Sequence, residues 1–203
     1  MYVYCIYSRL FSLHFLILLL LFFLHYPFLL VSQNTECGEV AVTQWSSEPL
    51  KEPIALSKPI RLVIIQHTAT ENCSDDETCH IVLSNVRQKH VERLKFKDIG
   101  NSFYIGGNGK VYEGAGWNVG AHTKGFNDKS IGLSFIGDFR DELPSVKALQ
   151  AAQDFLTCSV KNSNLAEDYD LVGHGQLSAT LSPGAKLQKC EFSRDRTTVG
   201  SAN

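Results

Sequence analysis

The chain has 203 residues, enough for one domain and a short additional segment. Its formal net charge is -2 and its pI about 6.4, so it has no electrostatic basis for binding nucleic acid or an anionic membrane surface. Hydrophobic content, at 44%, is that of an ordinary globular protein.

Residues 10–31 read "LFSLHFLILLLLFFLHYPFLLV", with Arg9 the one positive side chain before them and Ser32 and a polar stretch behind. This pattern predicts a secretory signal peptide over 1–32, cleaved near Ser32. The competing reading is an uncleaved membrane anchor, because the run is about long enough to span a bilayer. His14, His25 and Pro27 interrupt it and argue for cleavage. Either way the remainder faces an oxidising space, as a secreted, extracellular protein with no membrane contact once the signal is removed.

Beyond Cys5, five cysteines remain: Cys37, Cys73, Cys79, Cys158 and Cys190. No pair has C-x-x-C spacing, which weakens a metal reading. Cys73 and Cys79 can close a small loop, and Cys37 with Cys158 would tie the N-terminal segment to a late helix. A loop of that length contributes about 4–5 kcal/mol on the chain-entropy model. Cys190 is left over.

In chain order, 61–68 alternates Val63, Ile65 and His67 on one side with Leu62, Ile64 and Gln66 on the other, both mostly apolar. That predicts a central strand. "SDDE" from Ser74 to Glu77 reads as a capping box opening a helix whose buried face carries Cys79, Val82, Leu83, Val86 and His90. "SFYIGGNGKVYEG" predicts a hairpin and "IGLSFIGDF" a further strand. Val146, Leu149, Ala152, Phe155 and Leu156 mark a second amphipathic helix, and "YDLVGH" a last short strand ending at His174. Interleaved strands and helices predict an α/β fold: a central mixed sheet flanked by helices. The tail, 185–203, has no helical or strand period and reads as irregular.

The polar candidates for chemistry are His67, His122, His174, Tyr112 and Trp117. A lone histidine is more often a hydrogen-bonded structural residue than a ligand, and Trp117 and Tyr112 read equally well as core aromatics. H-E-x-x-H, phosphate-binding loops and a nucleophile elbow are absent.

Several stretches together, in order and over 37–184, resemble the peptidoglycan recognition protein family, the relatives of N-acetylmuramoyl-L-alanine amidases. They are "VIIQHTAT" followed by "CSDDETC", "DIGNSFYIGGNGKVYEGAGWNVGAHTKGFN", "SIGLSFIGDF", "LPSVKALQAAQDFLTCSV" and "YDLVGHGQLSATLSPG". The resemblance implies an amidase-like α/β fold for 37–184, and the cysteine pairings Cys73–Cys79 and Cys37–Cys158 match pairings common in the family. Enzymes of the family hold zinc through two histidines and a cysteine, assisted by a tyrosine. The corresponding positions here are Gln66, His174, Ser182 and Asn101, so His174 alone keeps the enzymatic residue type.

Catalytic zinc needs about three protein ligands and one open position. Gln66 offers a neutral amide and Ser182 a neutral hydroxyl. His67 cannot replace Gln66, because adjacent strand residues face opposite sides. Asn101 has no phenolic proton to offer. No zinc or other cofactor is expected, and the amidase reaction is expected to be lost.

What the resemblance implies instead is a secreted pattern-recognition receptor of innate immunity that binds bacterial peptidoglycan. It would signal through a serine protease cascade or other recognition proteins. Ligand contacts are implied at Thr68, Lys95, Phe96, Asn101, Trp117, His122, His174 and Thr180. Thr180 also reads as a turn residue. Diaminopimelate recognisers commonly carry Gly-Trp where Lys95-Phe96 stand, so lysine-type peptidoglycan is the expected preference. No arginine is seen at the matching groove positions, and Lys95 is either a reader of a stem carboxylate or a solvated charge. The alternatives are a residual amidase or other peptidoglycan peptidase, and a decoy with an altered tail. The family continues after "SPG" into an amphipathic helix that is missing from "SPGAKLQKC" and the polar residues beyond.

Overall fold

Strand β1 (Ile60–His67) is apolar on both sides because it is flanked on both edges and covered on both faces. The computed structural model describes residues 36–189; the expected signal peptide, Cys190 and the rest of the tail lie outside them. A single turn, α1 (Val42–Trp45), precedes β1, and α2 (Asp76–Gln88) follows it. Then come β2 (Phe103–Ile105), β3 (Val111–Glu113), β4 (Ile131–Phe135), α3 (Val146–Lys161), β5 (Leu165–Gly173) and α4 (Ala185–Lys189). The sheet order is β3-β2-β4-β1-β5. β2 and β3 form an antiparallel hairpin; β2–β4, β4–β1 and β1–β5 are parallel. The mixed sheet flanked by helices is therefore as expected.

Alternation along the strands separates two cores. On one face Val63, Ile65, Phe103, Leu133 and Phe135 pack under Ala148, Ala152, Phe155 and Leu156 of α3. On the other, Tyr104, Tyr112 and Ile136 meet Cys79, Leu83 and Val86 of α2, with Val42 and Trp45 beside them. Each fully buried large side chain contributes about 1.5–3 kcal/mol. Among the described residues, no helix is long and apolar enough to cross a membrane.

Both expected cysteine pairs form, with Cα separations of 5.8 Å for Cys37–Cys158 and 5.0 Å for Cys73–Cys79. Several local expectations are corrected. The cap of α2 is Asp75, not Ser74: its carboxylate accepts from the Thr78 N–H at 2.8 Å and from the Thr78 hydroxyl at 2.9 Å. Val146 is 82% exposed, because the inward face of α3 starts at Ala148. His90 lies beyond α2, in a π-helical turn, Lys89–Arg93. β5 is longer than "YDLVGH", and His174 starts a 3-10 turn after it. The tail is not irregular from 185 onward. Leu187 is buried in the α3-side core, and Gln188 packs over Gly173, where a Cβ would come within 2.0 Å of its Oε1.

Arg87 fixes how the chain leaves α2. Its guanidinium donates to Asp98 at 2.7 and 2.9 Å, to Ser46 Oγ, and to the carbonyls of Glu48 and Pro49. Burial alone would raise the Asp98 carboxyl, but hydrogen bonds from Arg87, Lys51 and Ile99 hold it below the usual carboxylate range. This anchor positions Ile99, Gly100 and Asn101 at the edge of the site.

Candidate functional site

The carboxyl ends of β1 and β5, the loop after β4 and the segment before β2 enclose a groove of about 590 Å³ on the α2 side of the sheet. Gln66, Asn101, His122, His174 and Ser182 all line it. Leu94, Phe96 and Leu181 form an apolar rim, with Leu94 48% and Leu181 73% exposed. A second chamber of about 340 Å³ adjoins along α2, lined by Thr68, Thr70, Glu71, Asn85, Lys89 and Tyr104. His67, His90 and Asn101 border both chambers.

Gln66 is buried at the end of β1. Its Oε1 accepts from Asn101 Nδ2, and its Nε2 donates to the His122 carbonyl at 3.0 Å and to Thr123 Oγ1 at 3.3 Å. The Tyr104 hydroxyl holds the other side of Asn101, accepting from its backbone N–H at 3.2 Å and donating to Oδ1 at 3.4 Å. Tyr104 is fully buried, which pushes its phenol well above its ordinary range. Ser182 Oγ accepts from the His67 N–H at 3.1 Å, and Thr180 Oγ1 accepts from the Ser182 N–H. Thr180 is thus both a turn residue and part of the groove.

His122 lies flat on β4. A Cβ at Gly132 would come within 2.7 Å of its ring and 3.0 Å of Asn101 Nδ2, so glycine is required there. Burial pushes His122 down to about 4, with the nearby Ser130 backbone acting in the opposite direction. His90, whose Nδ1 accepts from the Gly100 N–H at 2.9 Å, is likewise brought by burial to about 4. His174 is lowered by burial and then by the nearby His67. His67, which borders both chambers, is held from behind: its ring packs 6.4 Å from Phe139, and Nδ1 accepts from the Phe139 N–H. The groove therefore presents neutral imidazoles and amides at neutral pH. Among the described residues, no three His, Cys, Asp or Glu side chains cluster as a metal site.

Not every expected contact residue is in the groove. Trp117 packs on Phe103 at 4.8 Å and stacks on Phe155 at 5.9 Å, on the α3 side of the sheet. Lys95 is exposed and does not line the groove; with φ at 59° it is the left-handed turn residue that ends the π-helical segment. Thr68 borders the second chamber, its hydroxyl accepting from the Gly137 N–H at 2.9 Å. The sequence reading, which looked for an arginine only at the matching groove positions, missed Arg140, which lines the groove from the loop after β4. Its Nε donates to both Asp138 carboxylate oxygens, at 3.0 and 2.9 Å. His90, Leu94 and Leu181 were also missed; the turn after a helical period and the loop after "GH" were the only cues.

Comparison with known proteins places this architecture. A family model described as N-acetylmuramoyl-L-alanine amidase matches residues 56–185. A peptidoglycan recognition protein of Trichoplusia ni is 46% identical over 161 residues, 79% of this chain and 88% of its own. The solved structure of bumblebee PGRP-SA superposes with a TM-score of 0.72 at 43% identity, covering 74% of this chain and 90% of that one. Peptidoglycan recognition protein LE, solved in complex with tracheal cytotoxin, a monomeric diaminopimelic acid-type peptidoglycan, has a TM-score of 0.72 at 37% identity, with 74% of this chain and 90% of that one covered. The chain belongs to the amidase family and, within it, to the peptidoglycan recognition proteins.

Proposed function

We propose that this protein binds the peptide stem of bacterial peptidoglycan in the groove and does not cleave it. The observation that carries this reading is the state of the two altered ligand positions. The Gln66 amide is engaged by Asn101, His122 and Thr123, and the Ser182 hydroxyl by the His67 N–H. His174 remains as a single imidazole, and the donor set does not fit catalytic zinc. What remains suits recognition: amide and imidazole groups for a stem's amides and carboxylates, and an apolar rim for its aliphatic parts. The complex of the LE relative with a peptidoglycan fragment supports the ligand class.

The two disulfides suit an oxidising compartment, and with the apolar N-terminal run they support secretion. In an extracellular setting, a non-cleaving binder acts by recruiting partners, and a serine protease cascade or other recognition proteins are the proposed ones. The proposed preference remains lysine-type peptidoglycan. Arg140 is already paired with Asp138, so a third-residue carboxylate would have to displace that partner.

Retention of the purified protein on insoluble peptidoglycan of both stem types, with zinc measured on the same sample, tests the reading. Binding without stoichiometric zinc is expected, stronger on the lysine type. Muropeptide release with one zinc per chain overturns it, and tighter diaminopimelate binding that vanishes in Arg140→Ala overturns the preference.

A further inference from the structure

We propose that Asn72 is an N-glycosylation site at the edge of the second chamber. Asn72-Cys73-Ser74 is the one Asn-x-Ser/Thr triplet in the 203 residues. Asn72 and Ser74 are both exposed, in an irregular segment between β1 and α2. An acceptor inside a strand or helix has its backbone committed to a ladder; this one does not. The Asn72 side chain forms no hydrogen bond among the described residues. It lies over Gly137, where a Cβ would come within 1.9 Å of Asn72 Oδ1. The loop beneath is held in place by Ala69 N–H to Gly137 carbonyl and Gly137 N–H to Thr68 Oγ1, both 2.9 Å. Thr70 and Glu71, just before the acceptor, line the second chamber, so an attached sugar stands at its edge.

The donor is a lipid-diphosphate-linked oligosaccharide of the secretory pathway. Asn72 Nδ2 bonds to the anomeric carbon, and the bond from that carbon to the diphosphate oxygen breaks. The lipid diphosphate leaves with the electron pair, and Nδ2 gives up one proton. The proposal rests on the export reading above. It also carries a timing constraint, because the middle residue of the triplet, Cys73, is 3% exposed and bridged to Cys79. Transfer precedes closure of that bridge, so bridge formation competes with glycosylation.

The test is expression of the full chain in a eukaryotic secretory host, treatment of secreted protein with peptide N-glycosidase, and peptide mass spectrometry. The enzyme leaves aspartate at a formerly modified asparagine. The expected result is conversion at Asn72 and one mobility step, both lost in Asn72→Gln and in Ser74→Ala. Occupancy should rise in Ser74→Thr and in the Cys73→Ala/Cys79→Ala pair, which keeps the triplet. Secreted chain with Asn72 unmodified in both the natural sequence and Ser74→Thr overturns the proposal. If the chain is retained in the cytosol, export has failed, and the same chain behind a heterologous leader tests the acceptor independently, with the same two readings.

Discussion

Asn101 donates its side-chain amide to Gln66, joining the segment before β2 to the end of β1 on the groove floor. Through Gln66 the link continues to the His122 carbonyl, so two amides tie together three strands' worth of groove floor. Removing either partner leaves a poorly solvated amide behind. Asn101→Ala and Gln66→Ala should each cost about 1–3 kcal/mol. The double variant should cost less than their sum, with a coupling of about 1 kcal/mol in urea unfolding. Strict additivity would contradict the link.

Restoring metal chemistry takes more than one substitution. Gln66→His alone leaves Ser182 neutral and should bind no stoichiometric zinc. Gln66→His with Ser182→Cys supplies three protein ligands together with His174 and should bind one zinc, read by metal analysis. Muropeptide release should stay low until Asn101→Tyr is added. A double variant with the full rate of an active amidase would refute the role assigned to that position.

Arg87 is the interior ion-pair residue on which the approach to Asn101 depends. Arg87 and Asp98 are each about 10% exposed, and Arg87→Ala leaves the Asp98 carboxylate without its bidentate partner. A loss of about 3–5 kcal/mol is expected, measured as a lower unfolding midpoint. Arg87→Lys should recover little, since a point charge cannot satisfy Asp98, Ser46 and two carbonyls together.

How far the sequence could be read shows in these same residues. Gln66, Asn101, His174 and Ser182 were grouped by the family resemblance and not by any local pattern, and all four line the one groove. Arg140 was missed because nothing local says which way the loop after β4 folds. Trp117 stayed open between ligand contact and core aromatic for a related reason: an aromatic in a glycine-rich stretch carries no mark of which face it will cover, and its ring packs on Phe103 and Phe155. The strands were legible from alternation, but the short helix around Leu187 was not, because five residues hold too little period to read.

Acid should weaken the fold between pH 6.5 and about 4. His90 and His122 are held down to about 4 by burial, from an ordinary 6.5, and His67 and His174 are also lowered. In that window the unfolded chain binds more protons than the folded one, so stability is complete above the window and is lost as pH falls through it. Glu113, raised by burial, works in the opposite direction. Urea midpoints should fall from pH 7.5 to 4.5, and imidazole NMR titrations should place His90 and His122 at the acid end. A flat profile with ordinary midpoints would contradict the burial.

Lys95 offers a gain. Its left-handed backbone costs a non-glycine residue about 1–2 kcal/mol, and its side chain lies outside the groove. Lys95→Gly should raise stability by up to about 1 kcal/mol and leave stem-peptide affinity unchanged. A large fall in affinity would show that the ammonium reaches the ligand after all.

The sheet order has a consequence for how the molecule is made. β1 is the first strand to leave the ribosome, yet its two neighbours are β4 and β5, the last two. The central strand therefore waits, unpaired, for most of the domain to be synthesised, and the Cys37–Cys158 bridge waits with it. The Cys73–Cys79 loop needs only six further residues after Cys73. Vectorial synthesis thus completes the small ring's residues long before those of the sheet that supports it, and leaves the apolar "VII" of β1 without its strand partners in the interval.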